Sequence, residues 1–333
     1  MRGATVLRAG TLTTVQDFGR PGYRHLGVSS SGPMDVRSYR LANLLVGNEE
    51  GAAALEMTLV GPALLWHQSV CLAFSGAEMR GVVRLPGGLE CETRIGSPVQ
   101  VPAGSVTDFG EAVRGCRGYL AVRGGFGGAM VMGSRAGQLR SGFPGYCGRQ
   151  LQRGDELELC DDGGAGGVGG KCGAEFVQAE WFVRVADLPP GGSQPQVLRC
   201  LPGRHLDLLD SASRDRFWAG PFGLSADCDR MGYRLTGAEL SLASAVQIRS
   251  EAVVPGTLQL SPDGRLLLLM ADCAATGGYP RVGHVISADL PVAGQLRPGD
   301  CVRFELVTME LAQRAVKEQE RGMALVRLGL RRE

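Results

Sequence analysis

Aromatic residues and lysine are scarce in this chain of 333 residues. Phe, Tyr and Trp together make up 6%, and lysine occurs only at Lys171 and Lys317. Thirty-five Lys and Arg against 34 Asp and Glu leave a net charge of +1. With no basic cluster interleaved with aromatics, neither a nucleic-acid nor a membrane partner is predicted. There are ten cysteines but no CxxC pair, which removes the common zinc and redox motifs. His25, His67, His205 and His284 form no spaced ligand set, so no metal site is predicted. No apolar run reaches the length of a bilayer, and Leu266 to Ala271 is only strand-sized. MRGATVLRAGTLTTV at the start lacks an apolar core of signal-peptide length. Together these absences predict a cytoplasmic protein with reduced thiols. There is also no Gly-x-Ser-x-Gly elbow and no nucleophile–base pair legible from spacing.

What is present is glycine, and it is concentrated in places that matter. Gln16 to Asp35, QDFGRPGYRHLGVSSSGPMD, mixes Gly and Pro with carboxylates, arginines, a histidine and serines. Such a stretch is neither regular helix nor central strand; it predicts a polar loop system of the kind that carries binding groups. Part of it has an echo: Asp17-Phe-Gly-Arg-Pro-Gly-Tyr-Arg-His-Leu-Gly27 aligns with Asp227-Cys-Asp-Arg-Met-Gly-Tyr-Arg-Leu-Thr-Gly237. A second echo pairs Gln150-Leu-Gln-Arg-Gly-Asp155 with Gln295-Leu-Arg-Pro-Gly-Asp300, each ahead of an alternating apolar pattern. The chain length favours two domains, and the echoes predict two related halves.

Most of the chain has an all-β rhythm, short Val, Leu and Ile runs broken by Gly, Pro, Asp and Ser. Residues 1–15 predict one or two strands with a break at Gly10. Asp35 to Asn48 predicts a helix with Asp35 as N-cap and Gly47 at its end. In the second half, strands are expected at Glu239–Leu242, Val246–Ser250, Thr257–Leu260, Leu266–Met270, Val282–Ile286 and Val302–Val307, with a short helix near Ser211–Trp218. A terminal amphipathic helix, about Met309–Leu328, should dock through Leu311, Ala312, Val316 and Met323. The expected borders are a first barrel over 1–160, a Gly-rich linker over 161–173, a second barrel over 174–308 and the helix over 309–333. The linker falls short of a phosphate-binding loop, because Ala165 and Cys172 replace the required Gly and Ser/Thr. Two small closed or half-closed barrels dispose of exposed strand edges best.

Ten segments in order, among them VQDFGRPGYRHLGVSSSGPMD, LANLLVGN, AALEMTLVGP, YLAVRGG, DRMGYRLTG, VVPGTLQLSPDG, TGGYP, VISADLP and QLRPGD, resemble the biotin-dependent carboxyltransferase family. That family includes the C component of bacterial 5-oxoprolinase, the antagonist of a sporulation-kinase inhibitor and the carboxyltransferase region of urea carboxylase. The resemblance implies a mainly β protein of two cyclophilin-like β-barrel domains with a few short helices. It implies ATP-dependent (Mg-ATP) opening of 5-oxo-L-proline to L-glutamate, carried out with an inhibitor-type B component and a LamB/YcsF-type A component. The alternatives are a carboxyltransferase acting on urea or a similar amide, and a regulatory protein that sequesters a kinase inhibitor. Neither lysine lies in an Ala-Met-Lys-Met setting, so no covalent biotin is expected on this chain. Cys228 and Cys273-Ala274-Ala275 stand where the family has polar residues, and His205 where it has Gln.

Opening a lactam by phosphorylating its amide oxygen needs cationic or backbone donors for the phosphate, a carboxylate for proton or Mg²⁺ handling, and hydrogen bonds on the ring. Arg20, Arg24, Arg230 and Arg234 suit the charge role, or else tie loops together through Asp17, Asp227 and Asp229. Asp272, at the exit of an apolar strand, is the acid chosen for proton transfer, ahead of the helix-capping Asp35. The expected catalytic set is Asp272, Arg230 and Arg20. Substrate binding is assigned to Gln16, Asp17, Tyr233, Arg234, Gln259, Thr276, Gly277, Gly278 and Tyr279. These loops are expected to converge on a crevice between the barrels, shared with the partner chain. Asn43 and Asn48 are further amide-binding candidates, and Glu56 is assigned to a cleft or to solvent.

Overall fold

The computed structural model describes residues 2–143, 145–160, 175–183, 188–192 and 194–330. The expected Gly-rich linker, with its near-match to a phosphate loop and Lys171, lies outside the described residues. The chain divides into two compact units. The first holds Met1–Arg20, Ser31–Leu188 and Met323–Glu333; the second holds Pro21–Ser30 and Pro189–Gly322. The ten residues Pro21–Ser30 lie in the sequence of the expected first barrel, but they pack as part of the second unit. No helix among the described residues is long and apolar enough to cross a membrane.

The first unit is built on one ten-stranded sheet. Its strands are β1 (Arg2–Arg8), β2 (Leu12–Gln16), β3 (Ala54–Thr58), β4 (Ala63–Trp66), β5 (Val70–Arg84), β6 (Glu90–Thr93), β7 (Val99–Val101), β8 (Val106–Val122), β9 (Glu156–Glu158) and β10 (Val177–Gln178). They run in the order β10-β7-β5-β8-β4-β1-β9, with β3 joining β2 to β8 and β6 paired to β5. Gly10, at φ 75°, makes the predicted break between β1 and β2. Helix α1 (Val36–Leu45) starts where the sequence places it, with the Asp35 carboxylate accepting from Ser38 N at 3.0 Å. One face of the sheet closes over Val6, Leu55, Met57, Leu64, Trp66, Phe74 and Phe109. The other is covered by α1, whose Tyr39, Leu41 and Leu45 pack with Ala54, Ala73 and Tyr119. A strand covered on both faces buries every residue, and Ala54 to Met57 are all buried.

Seven strands of the second unit close into a barrel in the order β11-β18-β15-β16-β13-β12-β19. They are β11 (Gln196–Pro202), β12 (Phe222–Cys228), β13 (Gly232–Thr236), β15 (Thr257–Leu260), β16 (Leu266–Leu269), β18 (Arg281–Val285) and β19 (Cys301–Leu306). The pairing that closes it, β11 with β19, is parallel. Strands β14 (Glu251–Ala252) and β17 (Thr276–Gly277) form a separate two-stranded ribbon. The barrel is filled by Leu198, Phe222, Tyr233, Leu258, Leu268 and Phe304, with Phe217 of α2 (Ser211–Ala219) stacked on Phe304 at 5.4 Å. A short helix, α3 (Leu290–Gly294), precedes the last strand.

Two predicted strands are absent. Glu239–Leu242 keeps only an isolated bridge from Leu242 to Leu209, and Val246–Ser250 has no ladder. Their alternating composition fits a strand, but only scattered backbone bonds, such as Leu240 N to Gly264 O at 2.9 Å, reach them and no continuous ladder forms, and β-propensity without a paired neighbour does not make a strand. The first echo also separates. Gly232-Tyr233-Arg234 lies in β13, whereas Arg24 opens a short 3₁₀ turn, Arg24–Leu26. The second echo holds in detail. Asp155 Oδ2 accepts from Gln152 N at 2.7 Å and Asp300 Oδ2 from Arg297 N at 3.0 Å. The glycine before each aspartate has φ near 90°.

The terminal helix α4 (Met309–Leu330) buries Ala312 and Met323 as predicted, but not Leu311 or Val316. Ala312 and Ala315 pack with Ile286, Ala288 and Val307, while Leu311 and Val316 are exposed at 47% and 38%. The Gln319 amide donates to Ala288 O at 2.6 Å and fixes that rotation.

Candidate functional site

The second unit carries a cavity of about 470 Å³ whose walls come from four barrel strands and the loops at their ends. Its geometry begins with the hairpin β12–β13. Cys228 pairs with Tyr233, and Asp229 Oδ1 closes the turn by accepting from Met231 N at 2.7 Å and Gly232 N at 3.2 Å. Tyr233 points into the barrel core and is 1% exposed. Residues on either side of the Cys228–Tyr233 pair alternate to the opposite face. Asp227, Asp229, Gly232 and Arg234 accordingly all line the cavity.

The next strand completes the lining. Arg234 pairs with Leu267 and Gly232 with Leu269 of β16. With Met231, Val253 and Ala274, these leucines make an apolar floor. Arg265, just before β16, adds a second guanidinium, and Gln259 and Thr276 add an amide and a hydroxyl. Gln259 is buried on β15, and its Nε2 reaches Tyr279 O at 3.4 Å. A Cβ on Gly277 would lie 2.6 Å from that nitrogen, so only glycine lets the amide lie against this backbone.

Charge in the cavity is divided. Arg234 Nη1 lies 3.1 Å from Asp263 Oδ2, and Arg265 Nε lies 3.9 Å from the same oxygen. The Ser261 hydroxyl first, and then the backbone N–H of Asp263 and the Arg234 guanidinium, hold the Asp263 carboxyl below the usual carboxylate range. One carboxylate between two guanidiniums leaves this side positive. Asp227 and Asp229 form the negative side; both are exposed, and the backbone N–H of Asp227 donates to Ser225 Oγ at 3.2 Å.

The predicted catalytic pair stands behind this lining. Arg230 and Asp272, 4% and 5% exposed, face each other through two bonds, Nε to Oδ2 at 2.9 Å and Nη2 to Oδ1 at 3.1 Å. The backbone repeats the link, Asp272 N donating to Arg230 O at 2.8 Å. Their neighbours Asp229, Met231 and Cys273 line the cavity, while the pair itself does not. Two residues from Pro21–Ser30 brace the same wall. Arg24 donates to Val253 O and, at 2.9 Å, to Ala274 O; Ser29 Oγ donates to Cys273 O at 2.8 Å. Burial pushes the Cys273 thiol up in pKa, with the Arg24 guanidinium pulling the other way, so it is an ordinary protonated thiol at neutral pH.

Gln16, Asp17 and Arg20 gather around a different segment, within the first unit. Gln16 Nε2 donates to Thr14 Oγ1 and to Gly137 O, both at 3.0 Å. Asp17 accepts from Gly19 N at 2.8 Å and from Ser134 Oγ and Arg135 N at 2.5 Å. Arg20 donates to Ala136 O and lies 4.8 Å from the centre of the Phe143 ring. All three hold residues 134–143 in place. Asn43 and Asn48 are committed as well, to Ala52 O at 2.9 Å and to Val122 O at 2.8 Å. Glu56 is neither in a cleft nor in solvent. It is 1% exposed, and its Oε2 accepts from Met34 N at 2.9 Å and Tyr119 Oη at 2.7 Å.

Of the residues singled out from sequence, Arg234, Gln259 and Thr276 come together at the cavity, with Gly277 shaping it. Gly278 and Tyr279 line a separate hollow of about 620 Å³ with Ser241, Val246 and Asp263. Asp227 and Asp229 are expected from sequence only as tethers for arginines, and Arg265 does not stand out there at all. The signal for the two acids is the alternation about Cys228 and Tyr233 in the hairpin over 227–236. Lys317 sits exposed on α4.

Comparison with known proteins places this architecture. The profile of the family described as carboxyltransferase domain, subdomain A and B, matches residues 26–306. The chain is 35% identical to the C component of 5-oxoprolinase from Escherichia coli, over 95% of each chain, and 32% identical to that of Haemophilus influenzae, over 95% of this chain and 94% of the relative. The crystal structure of Kluyveromyces lactis urea carboxylase superposes with a TM-score of 0.85 at 27% identity. That match covers 98% of this chain and 29% of the yeast enzyme, so the likeness concerns one region of a longer protein. A mainly β fold with a closed barrel, the full-length likeness and the matched profile agree: the chain belongs to the carboxyltransferase domain family, subdomains A and B.

Proposed function

We propose that this chain is the C component of an ATP-dependent 5-oxoprolinase and that the cavity beside β13 and β16 holds the lactam. The observation that carries the reading is the meeting of two guanidiniums, a buried primary amide and an apolar floor in one cavity. A five-membered lactam acid presents matching groups. Its carboxylate suits Arg234 and Arg265, its ring methylenes suit Leu267, Leu269 and Met231, and its N–H and C=O suit Gln259 and Thr276. Both bacterial relatives that match over nearly their whole length are named as the C component of 5-oxoprolinase.

In the reaction, one water adds across the C–N bond of the ring, giving a carboxylate and an amine. A second water is consumed as ATP goes to ADP and phosphate. ATP is the co-substrate of the assembly, which joins this chain to an inhibitor-type B component and a LamB/YcsF-type A component. This chain supplies the lactam site and no covalent biotin. Asp272 and Arg230 act by holding the loop that carries Cys273 and Ala274.

The test is calorimetric titration of the complex with 5-oxo-L-proline. Arg234→Gln removes one of the two guanidiniums and is expected to weaken binding about 10- to 100-fold, the range for one charge-assisted contact. Unchanged affinity in Arg234→Gln would place the lactam elsewhere. The superposition on urea carboxylase supports a second reading, carboxyl transfer to an amide, which would require a carboxybiotin carrier and would release no glutamate.

A further inference from the structure

The geometry points to a cavity built for a zwitterion: its acidic wall, Asp227 and Asp229, receives the ammonium that ring opening creates. The inference rests on the reading of this cavity as the lactam site, and it adds that the cavity recognises the α-amino acid product as well as the lactam.

5-Oxo-L-proline carries one charge, its carboxylate, and its nitrogen is a neutral amide. Arg234 and Arg265 are sufficient for that charge, and the lactam has no positive charge for Asp227 and Asp229 to meet. Yet Asp227 and Asp229 stand on the same strand face as Arg234 and line the same cavity. Asp229 spends only Oδ1 on the turn, through Met231 N and Gly232 N. The ion-pair partner of Arg234 is Asp263, which comes from the turn before β16, so the acids of the β12–β13 hairpin are not consumed in neutralising it. Gln259, nine-tenths buried, lies with its amide on the cavity.

When water attacks the ring carbonyl and the C–N bond breaks, the nitrogen keeps the bonding pair, takes up both protons of that water and becomes an α-ammonium at neutral pH. The carbonyl carbon becomes a second carboxylate. The product then carries a cation next to a carboxylate, the charge order of the cavity wall from Asp227 and Asp229 to Arg234. Two carboxylates about the nitrogen also favour its protonated form, which cannot attack the carbonyl and re-close the ring. The cost is product retention, so L-glutamate should compete with 5-oxo-L-proline.

The experiment compares binding of L-glutamate, 5-oxo-L-proline and glutarate to the complex, wild type against the double variant Asp227→Asn/Asp229→Asn. Asparagine at 229 keeps an oxygen to accept from Met231 and Gly232, so the turn survives, and a thermal melt checks this. The double variant is expected to lower the ratio of L-glutamate to 5-oxo-L-proline affinity about 10-fold or more, as loss of a charge-assisted contact does. Glutarate, which has no ammonium, should not share that loss. An unchanged ratio, or no binding of L-glutamate to the wild type, overturns the inference. The functional reading survives that result if 5-oxo-L-proline binding still depends on Arg234. It fails separately if Arg234→Gln alters the binding of neither ligand.

Discussion

Asp272→Asn should destabilise the second unit by about 3–5 kcal/mol, the usual result of removing one partner from a buried ion pair, and should abolish turnover while leaving the partner complex intact. Arg230 and Asp272 are both almost fully buried and share two short bonds, so the amide takes away the carboxylate charge that faces a guanidinium in the wall of the cavity. The loop that carries Cys273 and Ala274 is tied to Asp272 directly and loses its register with Arg230. A companion variant separates charge from shape. Asp272→Asn combined with Arg230→Met removes both charges and should recover much of the lost stability, since a packed apolar pair commonly replaces a buried ion pair without loss. Turnover should stay low in the double variant if the pair also places the loop. Urea unfolding of the single variant at wild-type stability would contradict the structural role, and full turnover in it would remove Asp272 from the site altogether.

The second large effect is expected in the first unit, at Glu56. Its carboxylate lies between β3, β8 and the residues leading into α1. It accepts from Met34 N and from the Tyr119 hydroxyl, which in turn accepts from Asp35 N at 2.7 Å. Burial first, and then the Glu56 and Asp35 carboxylates, push the Tyr119 hydroxyl well above its ordinary pKa, so it stays protonated and donating. Glu56→Ala strips an acceptor from two buried donors and leaves a cavity, which should cost about 3–5 kcal/mol. The melting temperature should fall by roughly 6–20 °C, at the 2–4 °C per kcal/mol usual for a unit of this size. Backbone exchange at Met34 and Asp35 should quicken with it. A melting temperature within about 2 °C of wild type would show that the hub is not needed.

Glu56 also illustrates what a sequence can and cannot convey. The pattern Leu-Glu-Met reads as a strand with one solvent face, which is the right secondary structure and the wrong environment. Alternation reports that neighbours point apart; it does not report that α1 covers the second face, because the residues that do so are distant in sequence. α1 itself is legible from local chemistry alone, since its cap, stripe and stop are contiguous. Thr257–Leu260, Leu266–Leu269 and the last barrel strand are legible for the same reason. The Glu239–Ser250 segment misleads because strand composition is local and strand pairing is not.

The cavity follows the same division. Arg234, Gln259 and Thr276 stand out as polar groups among apolar strands or beside glycines. Asp227 and Asp229 are visible but read as tethers, because the Asp-x-x-Arg-x-Gly-Tyr-Arg echo draws attention to the arginines that the two copies share. One copy is a hairpin whose face decides the site, and the other is a turn whose Arg24 braces the back of it. Six matching letters fix the residues, while backbone pairing with β16, outside the motif, fixes the conformation.

Reconstitution is the most direct test of the role proposed for this chain. Glutamate release from 5-oxo-L-proline and ATP should be measured with all three components, with this chain omitted, and with this chain replaced by Arg234→Gln. Turnover that vanishes without the chain and falls steeply with the variant, chiefly through a raised KM, is the predicted result. Undiminished glutamate release in the absence of this chain would contradict it.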